Sequence, residues 1–505
     1  MLGLATPPID VYVAAFVGEA LFAYALFDDL AETPKRPRLA GALRGWVFGT
    51  AVNVIVLRFV PATIVRFTDL PWALGALALL LLGMFQGLRW LVAGWLARQL
   101  AVSSSRGDRR VPTFLAFGLA VWASTFVPGV FDWTVAAGIS PLRSLVQFAD
   151  VVGERGVSAL LAIACALFAE AARAGLARER RKSVQNAIIG AAIPAAMMAG
   201  GALRVHAVEA ARARAPVVRV ALAQPETDAR IRWDPNEADS IVRRRTMITI
   251  AAEQRGTDLV VWPEAAFPYP MSSRAKTDMF GPSAILQPGV RGPVLTGVEM
   301  RAPGRDAGTY NSAIVVQGSR VEPPYHKMHL LAFGETVPFS STFPALRRAF
   351  VRGTGLVAGD RQVLLTTGKV RAAVLNCFED TLPDAGREAI GVHPNLLVNI
   401  TNDAWFVHTE ESELHLRLAT MRAIELRRDL VRAVNEGVTS WVDATGRVRA
   451  RYDVPVAGTL PARPALLEGT TIYARFGDAA GALFLGLLAA ATWLGLRQKR
   501  NGATP

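Results

Sequence analysis

Residues 370–380 read VRAAVLNCFED, a run of small and branched apolar residues that ends on Asn376 and Cys377. A strand buried on both faces has this continuous apolar character, whereas a half-exposed one alternates. Two further segments share the design. DLVVWPEAAFP, residues 258–268, carries Glu264 just past its apolar run, and YHKMHLLAFGE, residues 325–335, carries Lys327. The three together predict strands that deliver a carboxylate, an ammonium and a thiol at their ends.

Around them, short β-rich runs (VVRVALAQ from 217, GPVLTGVEM from 292, YNSAIVVQ from 310, NLLVNITND from 395, RAVNEGVTSWVDATG from 432) alternate with helical stretches at 236–254 and 412–428. That alternation predicts an α/β sandwich rather than an all-β domain. ATGR at 444–447 reads as a hairpin turn, with Gly446 supplying the positive φ.

The chemistry follows from the residue types. A thiol ordinarily titrates at about 8.5, so a nucleophilic cysteine needs a base or a neighbouring cation. Glu264 can take the proton, and Lys327 can stabilise both a thiolate and the oxyanion formed on a carbonyl. No histidine is required, and His326 and His329 are expected to point away from Lys327. The plainer readings stay open: a buried inert thiol and a solvated lysine. The chain has two cysteines, and Cys165 lies in an apolar run, so a disulfide framework is excluded.

With 505 residues the chain is too long for one core. Its 51% hydrophobic content and mean hydropathy of +0.28 predict membrane spans diluted by a polar domain. Apolar runs fall at about 11–27, 43–60, 73–97, 113–128, 156–175, 185–204 and 479–496. The net charge of +13 is placed between these runs rather than on one arm, which argues against nucleic acid. Basic residues concentrate in alternate linkers: Lys35, Arg36, Arg38 and Arg44; Arg98, Arg106, Arg109 and Arg110; Arg173, Arg178, Arg180, Arg181 and Lys182; and Arg497, Lys499 and Arg500. The positive-inside rule makes those linkers cytoplasmic and puts 205–478 on the other side. Nothing basic precedes the first run, so it reads as a span and not a signal peptide. Arg58 and Glu170 are expected to snorkel toward an interface, and Gln86 and Arg89 to face a polar cavity.

On IRWDPNEADS (231–240), DLVVWPEAAFP, YHKMHLLAFGETVPF (325–339), LNCFED (375–380), NITNDAWF (399–406) and the run from His415 to Val448, the chain resembles the apolipoprotein N-acyltransferases of the nitrilase (carbon–nitrogen hydrolase) superfamily. The resemblance covers nearly the whole length. It implies a membrane α-helical bundle plus an α/β nitrilase-like αββα sandwich domain. The domains would be 1–204 (six spans), 205–478 (catalytic, periplasmic) and 479–505 (a last span and basic tail). It further implies a bacterial inner-membrane enzyme that works as a monomer without metal or cofactor. Its donor would be a phospholipid and its acceptor an apolipoprotein.

By the same resemblance Glu264 is the base, Lys327 the oxyanion-stabilising lysine and Cys377 the nucleophile. The backbone N–H of Phe378 would share the oxyanion, and Trp233, Glu335 and Glu379 would matter for function. Glu335 either orients Lys327 and relays a proton or is a structural ion pair. Phe267, Tyr269, Leu330, Leu331, Phe333, Trp405 and Phe406 would line an acyl groove or belong to the ordinary core. FSSTFPALRRAFVR at 339–352 reads as an arm on a membrane surface or as a plain surface helix.

The chain departs from the family at Phe378, where a tyrosine is usual, at Gln224-Pro225-Glu226 for QGN, and at Ala332 and Thr336 in HLLAFGET. LATPPIDVYVAAF (4–16) resembles the junction of the family's first two spans, so a shortened start and a lost span both stay open. A membrane-tethered amidase, an acyltransferase with another amine acceptor and a non-catalytic scaffold remain as alternatives.

Overall fold

A computed structural model describes residues 1–505 except 29–36, 69, 103–110, 229–233, 305–307, 333, 338–354, 407–408 and 502–505. The positions of Trp233 and Phe333 and the expected arm at 339–352 lie outside the described residues. The chain divides into two compact units, Met1–His206 with Thr471–Pro505, and Ala207–Thr470.

The first unit is helical. Four helices among the described residues are long and apolar enough to cross a membrane: Arg38–Val56, Trp72–Ala101, Ala149–Leu176 and Arg180–Arg214. Val13–Phe27, Thr113–Ser124 and Asp478–Thr492 are apolar but shorter. Every expected run is therefore helical, with shifted ends. The run expected at 43–60 begins earlier and stops at Val56, because the chain turns and restarts as Val60–Phe67 with Pro61 in its first turn. Small residues let the helices approach closely: a Cβ on Gly45 would lie 1.9 Å from the carbonyl oxygen of Trp90.

The polar residues of the bundle separate into two outcomes. Gln86 donates to the Phe131 carbonyl (2.7 Å) and accepts from the Val130 amide (2.8 Å). Arg89 donates to the Val127 carbonyl (2.7 Å) and pairs with Asp132. Together with Asn53, Trp133 and Ser158 they line a cavity of about 40 Å³, as their spacing suggested.

Arg58 and Glu170, expected to snorkel, each meet backbone groups of the bundle. Arg58 donates to the carbonyls of Ile55 (3.1 Å) and Pro7 (2.5 Å), closing the end of the Pro37–Val56 helix. Glu170 accepts from the Phe114 amide (3.2 Å) and the Thr113 hydroxyl. The residue before that helix, Pro112, offers no side-chain cap, and Glu170 satisfies one of its free amides from a neighbouring helix.

The second unit is a two-sheet sandwich. Its strands are β1 (Val220–Gln224), β2 (Leu259–Val261), β3 (Phe267–Ser272), β4 (Val294–Arg301), β5 (Thr309–Gln317), β6 (Arg320–Val321) and β7 (Tyr325–His326), then β8 (Leu364–Thr367), β9 (Val370–Asn376), β10 (Leu396–Thr401), β11 (Leu430–Val434), β12 (Thr439–Val442), β13 (Val448–Tyr452) and β14 (Gly458–Ala462). One sheet runs β14-β1-β2-β4-β5-β6, with β3 on β4 and β7 on β5; the other runs β13-β12-β11-β10-β9-β8.

The inner faces meet in one core. Val220, Leu222, Val261, Leu295 and Val315 from the first sheet pack against Ala372, Val374, Val398, Ile400 and Val431 from the second. The outer face of the first sheet buries Ala221, Val260, Trp262 and Val298 together with Val242 and Ala252 of the Ala238–Gln254 helix. Helices Pro383–Gly391 and Glu411–Leu426 follow strands of the second sheet, giving the αββα layering expected. The predicted hairpin is present: Gly446 has φ 78°, and the Asp443 amide donates to Arg447 between β12 and β13. The β-rich run at 432–446 holds two antiparallel strands, because it doubles back between Val434 and Thr439.

Candidate active site

β1 and β2 are parallel, as are β9, β10 and β11, so their carboxyl ends lie side by side within each sheet. Glu264 follows β2, Cys377 follows β9 and Trp405 follows β10. Lys327 follows β7, where its backbone amide donates to the Asn311 carbonyl (2.8 Å) at the start of β5. The three segments singled out in the sequence therefore meet.

Cys377 opens a tight helical turn, Cys377–Thr381, with φ 56°. A non-glycine residue in the left-handed region is strained, and such strain gathers at functional sites. Here it marks the point where the chain leaves β9 for the turn. The turn is held from below. Glu379, fully buried, accepts from the Asn376 amide (2.7 Å), the Met328 and His329 amides (2.8 and 3.0 Å) and the Tyr325 hydroxyl (2.7 Å). One carboxylate thus ties the thiol turn to the segment just after Lys327. Asn399 of β10 adds a donor to the Cys377 carbonyl (2.9 Å).

Lys327 is buried, with its ammonium 2.8 Å from Glu335 and 3.4 Å from Glu264. Burial alone would lower it, but Glu335 and Glu264 outweigh that and hold it charged far above the ordinary lysine range. Its Nζ also lies 5.2 Å from the centre of the Phe378 ring. Glu335 is positioned by the Leu331 amide (2.9 Å). Burial pushes the Cys377 thiol well above its usual range; Glu264 adds to the shift and Lys327 offsets only part of it. The resting thiol is therefore neutral, and the arrangement supplies a carboxylate to take its proton and an ammonium to hold the anion that results.

Neither flanking histidine joins this group. His326 Nδ1 meets the Ser312 hydroxyl (2.7 Å) and its ring stacks on Tyr310, while His329 Nε2 meets Glu388 (2.8 Å). Trp405 and Phe406 are half-buried beside the end of β10, and Phe267 is buried in the outer core, where it packs on Tyr269.

Two features escaped sequence reasoning. Asn311 is buried; its side-chain amide donates to Glu264 (2.7 Å) and to Glu335 (3.3 Å) and accepts from Asn376 (3.0 Å). Nothing in YNSAIVVQ sets it apart from Ser312 or Gln317 in the same run. The second is a buried cluster behind the thiol turn. His415 Nε2 lies 2.8 Å from Asp380 and Nδ1 3.2 Å from Asp403, with Glu411 and Arg432 adjoining. Burial lowers His415, but Asp380 outweighs it and raises the imidazole to about 10.

Asp403, Glu411 and His415 are donor types that could hold a cation. Both ring nitrogens already face carboxylates, so the imidazole has no lone pair left for a metal ion.

Gly297 of β4 sets the Glu264 backbone. A Cβ there would lie 2.2 Å from the Ala265 amide nitrogen and 2.7 Å from the Glu264 carbonyl carbon. Gly297→Ala must push the Glu264 turn away. It is expected to destabilise the domain by ~1–3 kcal/mol and to lower the rate by about 100-fold through misplacement of the carboxylate. An unfolding midpoint and a rate measured on the same preparation check this; a variant as active as the parent would contradict it.

Family models match both parts of the chain. The model of the apolipoprotein N-acyltransferase N-terminal domain matches residues 1–167, and that of carbon–nitrogen hydrolases matches 219–460. Among solved structures, a mutant of the Nesterenkonia AN1 amidase from the nitrilase superfamily is 16% identical, covers 49% of this chain and 90% of its own, and has a TM-score of 0.36. The apolipoprotein N-acyltransferase of Geobacter metallireducens is 31% identical over 465 residues, 88% of this chain and 84% of that protein. That of Rhizobium leguminosarum bv. trifolii is 31% identical over 497 residues, 93% and 89% of the two chains. With likeness of that extent across both units, the chain is an enzyme and a membrane protein that belongs to the apolipoprotein N-acyltransferase family.

Proposed function

We propose that this protein moves a fatty acyl chain from a phospholipid, through a thioester on Cys377, to the α-amine of the diacylglyceryl-cysteine that begins an apolipoprotein. The observation that carries the reading is Cys377 in a strained turn, in one buried network with a carboxylate and a charged lysine.

Glu264 takes the thiol proton as sulfur attacks the acyl ester carbonyl. Lys327 and the Phe378 N–H hold the oxyanion. The oxyanion collapses, the ester C–O bond breaks, and the lysophospholipid alkoxide leaves with the proton from Glu264. The acceptor amine then attacks the thioester, Glu264 removes its proton, and the thiolate departs and is reprotonated. Two half-reactions through one covalent intermediate give ping-pong kinetics. Glu335 keeps Lys327 oriented, Glu379 holds the thiol turn, Phe333, Trp405 and Phe406 form part of the acyl groove, and Trp233 binds substrate.

Residues 205–478 form the catalytic domain on the periplasmic face of a bacterial inner membrane. Residues 1–204 and 479–505 form the multi-pass bundle, with its basic linkers inside. The protein acts as a monomer.

Complementation of a bacterium depleted of its own N-acyltransferase tests the function, with lipoprotein N-termini read by mass spectrometry. Growth with N-acylated lipoproteins is expected. Failure to grow, or growth without N-acylation, would oppose it and favour a hydrolase that gives the thioester to water.

A further inference from the structure

We propose that Asn311 is a positioning residue of this site: its side-chain amide lets two carboxylates and one lysine share a buried pocket with Glu264 kept as the proton acceptor. The inference rests on the reading of Glu264 and Cys377 given above. Asn311 touches every part of the group. Its Nδ2 donates to Oε1 of Glu264 (2.7 Å) and to Oε1 of Glu335 (3.3 Å), its Oδ1 accepts from Asn376 next to the thiol (3.0 Å), and its carbonyl accepts from the Lys327 amide (2.8 Å).

Charge explains the need. Glu264 and Glu335 bring two negative charges against the single ammonium of Lys327. One ammonium offsets only one of those charges, and the two carboxylates repel each other. Two N–H bonds from a neutral amide hold both carboxylates in place without adding a charge that would compete for the thiolate. The antiparallel pairing of β4 with β5 sets Asn311 opposite Glu299, and that pairing fixes its height in the sheet. The other charged and titratable groups facing the pocket are Cys377, Glu379 and Tyr325, and Asp403 from the turn after β10.

Aspartate is the same size as asparagine but replaces the donor with a third carboxylate. Serine keeps a short hydroxyl that cannot reach both Glu264 and Glu335. The measurement is the rate of acyl–Cys377 formation from phospholipid in detergent, without acceptor, across pH 5 to 9. For Asn311→Asp the rate at neutral pH should fall at least ~100-fold, and the pH at which half the rate is lost on the acid side should rise by more than about one unit. For Asn311→Ser that midpoint should rise by about half a unit, which decides the matter if the aspartate variant does not fold.

A role confined to packing would lower the rate and leave the pH profile superimposable on the parent's; that result in Asn311→Ser, whether or not the aspartate variant folds, overturns the inference. If the parent itself forms no acyl–Cys377, the proposed function fails before Asn311 is in question, and the inference falls with it.

Discussion

Cys377→Ala is expected to abolish acyl transfer, a loss of at least ~10³-fold against the parent, as when a nucleophile is removed from a covalent mechanism. The folded state should survive. The resting thiol is neutral, so the substitution breaks no ion pair. It adds no volume, and alanine meets the left-handed backbone at φ 56° on terms similar to cysteine. The contacts that shape the turn belong to Glu379 and Asn399, not to the thiol itself. An unchanged unfolding midpoint with lost activity is therefore the expected pair of results. Transfer within tenfold of the parent would remove the covalent mechanism.

The second large effect is Lys327→Met, which keeps the side-chain volume and removes the charge. The ammonium is 1% exposed and pairs with both Glu335 and Glu264. Taking one partner from a buried pair typically costs ~3–5 kcal/mol, because the remaining charge is left uncompensated. One of the two carboxylates relieves that cost by taking up a proton, and if it is Glu264 the base is lost. Loss of an oxyanion donor by itself costs about 10²–10³ in rate. Both losses act on the same step, so a fall of at least ~10³-fold is expected together with a lower unfolding midpoint. A rate within tenfold of the parent would show that the oxyanion is held elsewhere.

Glu264 and Cys377 were legible because each stands just past an apolar run, and Lys327 because it follows a short strand-like one. Glu264 and Cys377 follow strands of two different sheets, so it was residue chemistry and chain order, and not strand pairing, that put them together. Asn311 was not legible, since its height depends on the β4–β5 register, a long-range property with no local mark. His415 lies on a helix buried almost throughout, where it is one of several polar residues in HLRLATMRAIEL and gives no sign of the two carboxylates that bracket it.

In the bundle, hydropathy located the helices but not their neighbours. Arg58 and Glu170 read as interface residues because a linear run shows how far a charge lies from its end. It does not show that another helix terminus with unsatisfied backbone groups stands beside it. Gln86 and Arg89 were placed correctly because they lie one turn apart on a single helical stretch.

The central claim is that an acyl group rests on Cys377 between donor and acceptor. It is tested most directly by incubating the purified protein with phospholipid alone, digesting it, and weighing the peptide that contains Cys377. The account predicts a fatty acyl mass on that cysteine, which disappears when a diacylglyceryl-cysteine peptide is added and reappears on the peptide's α-amine. Acyl transfer at full rate with Cys377 unmodified, or an acyl group found on another residue, would contradict it.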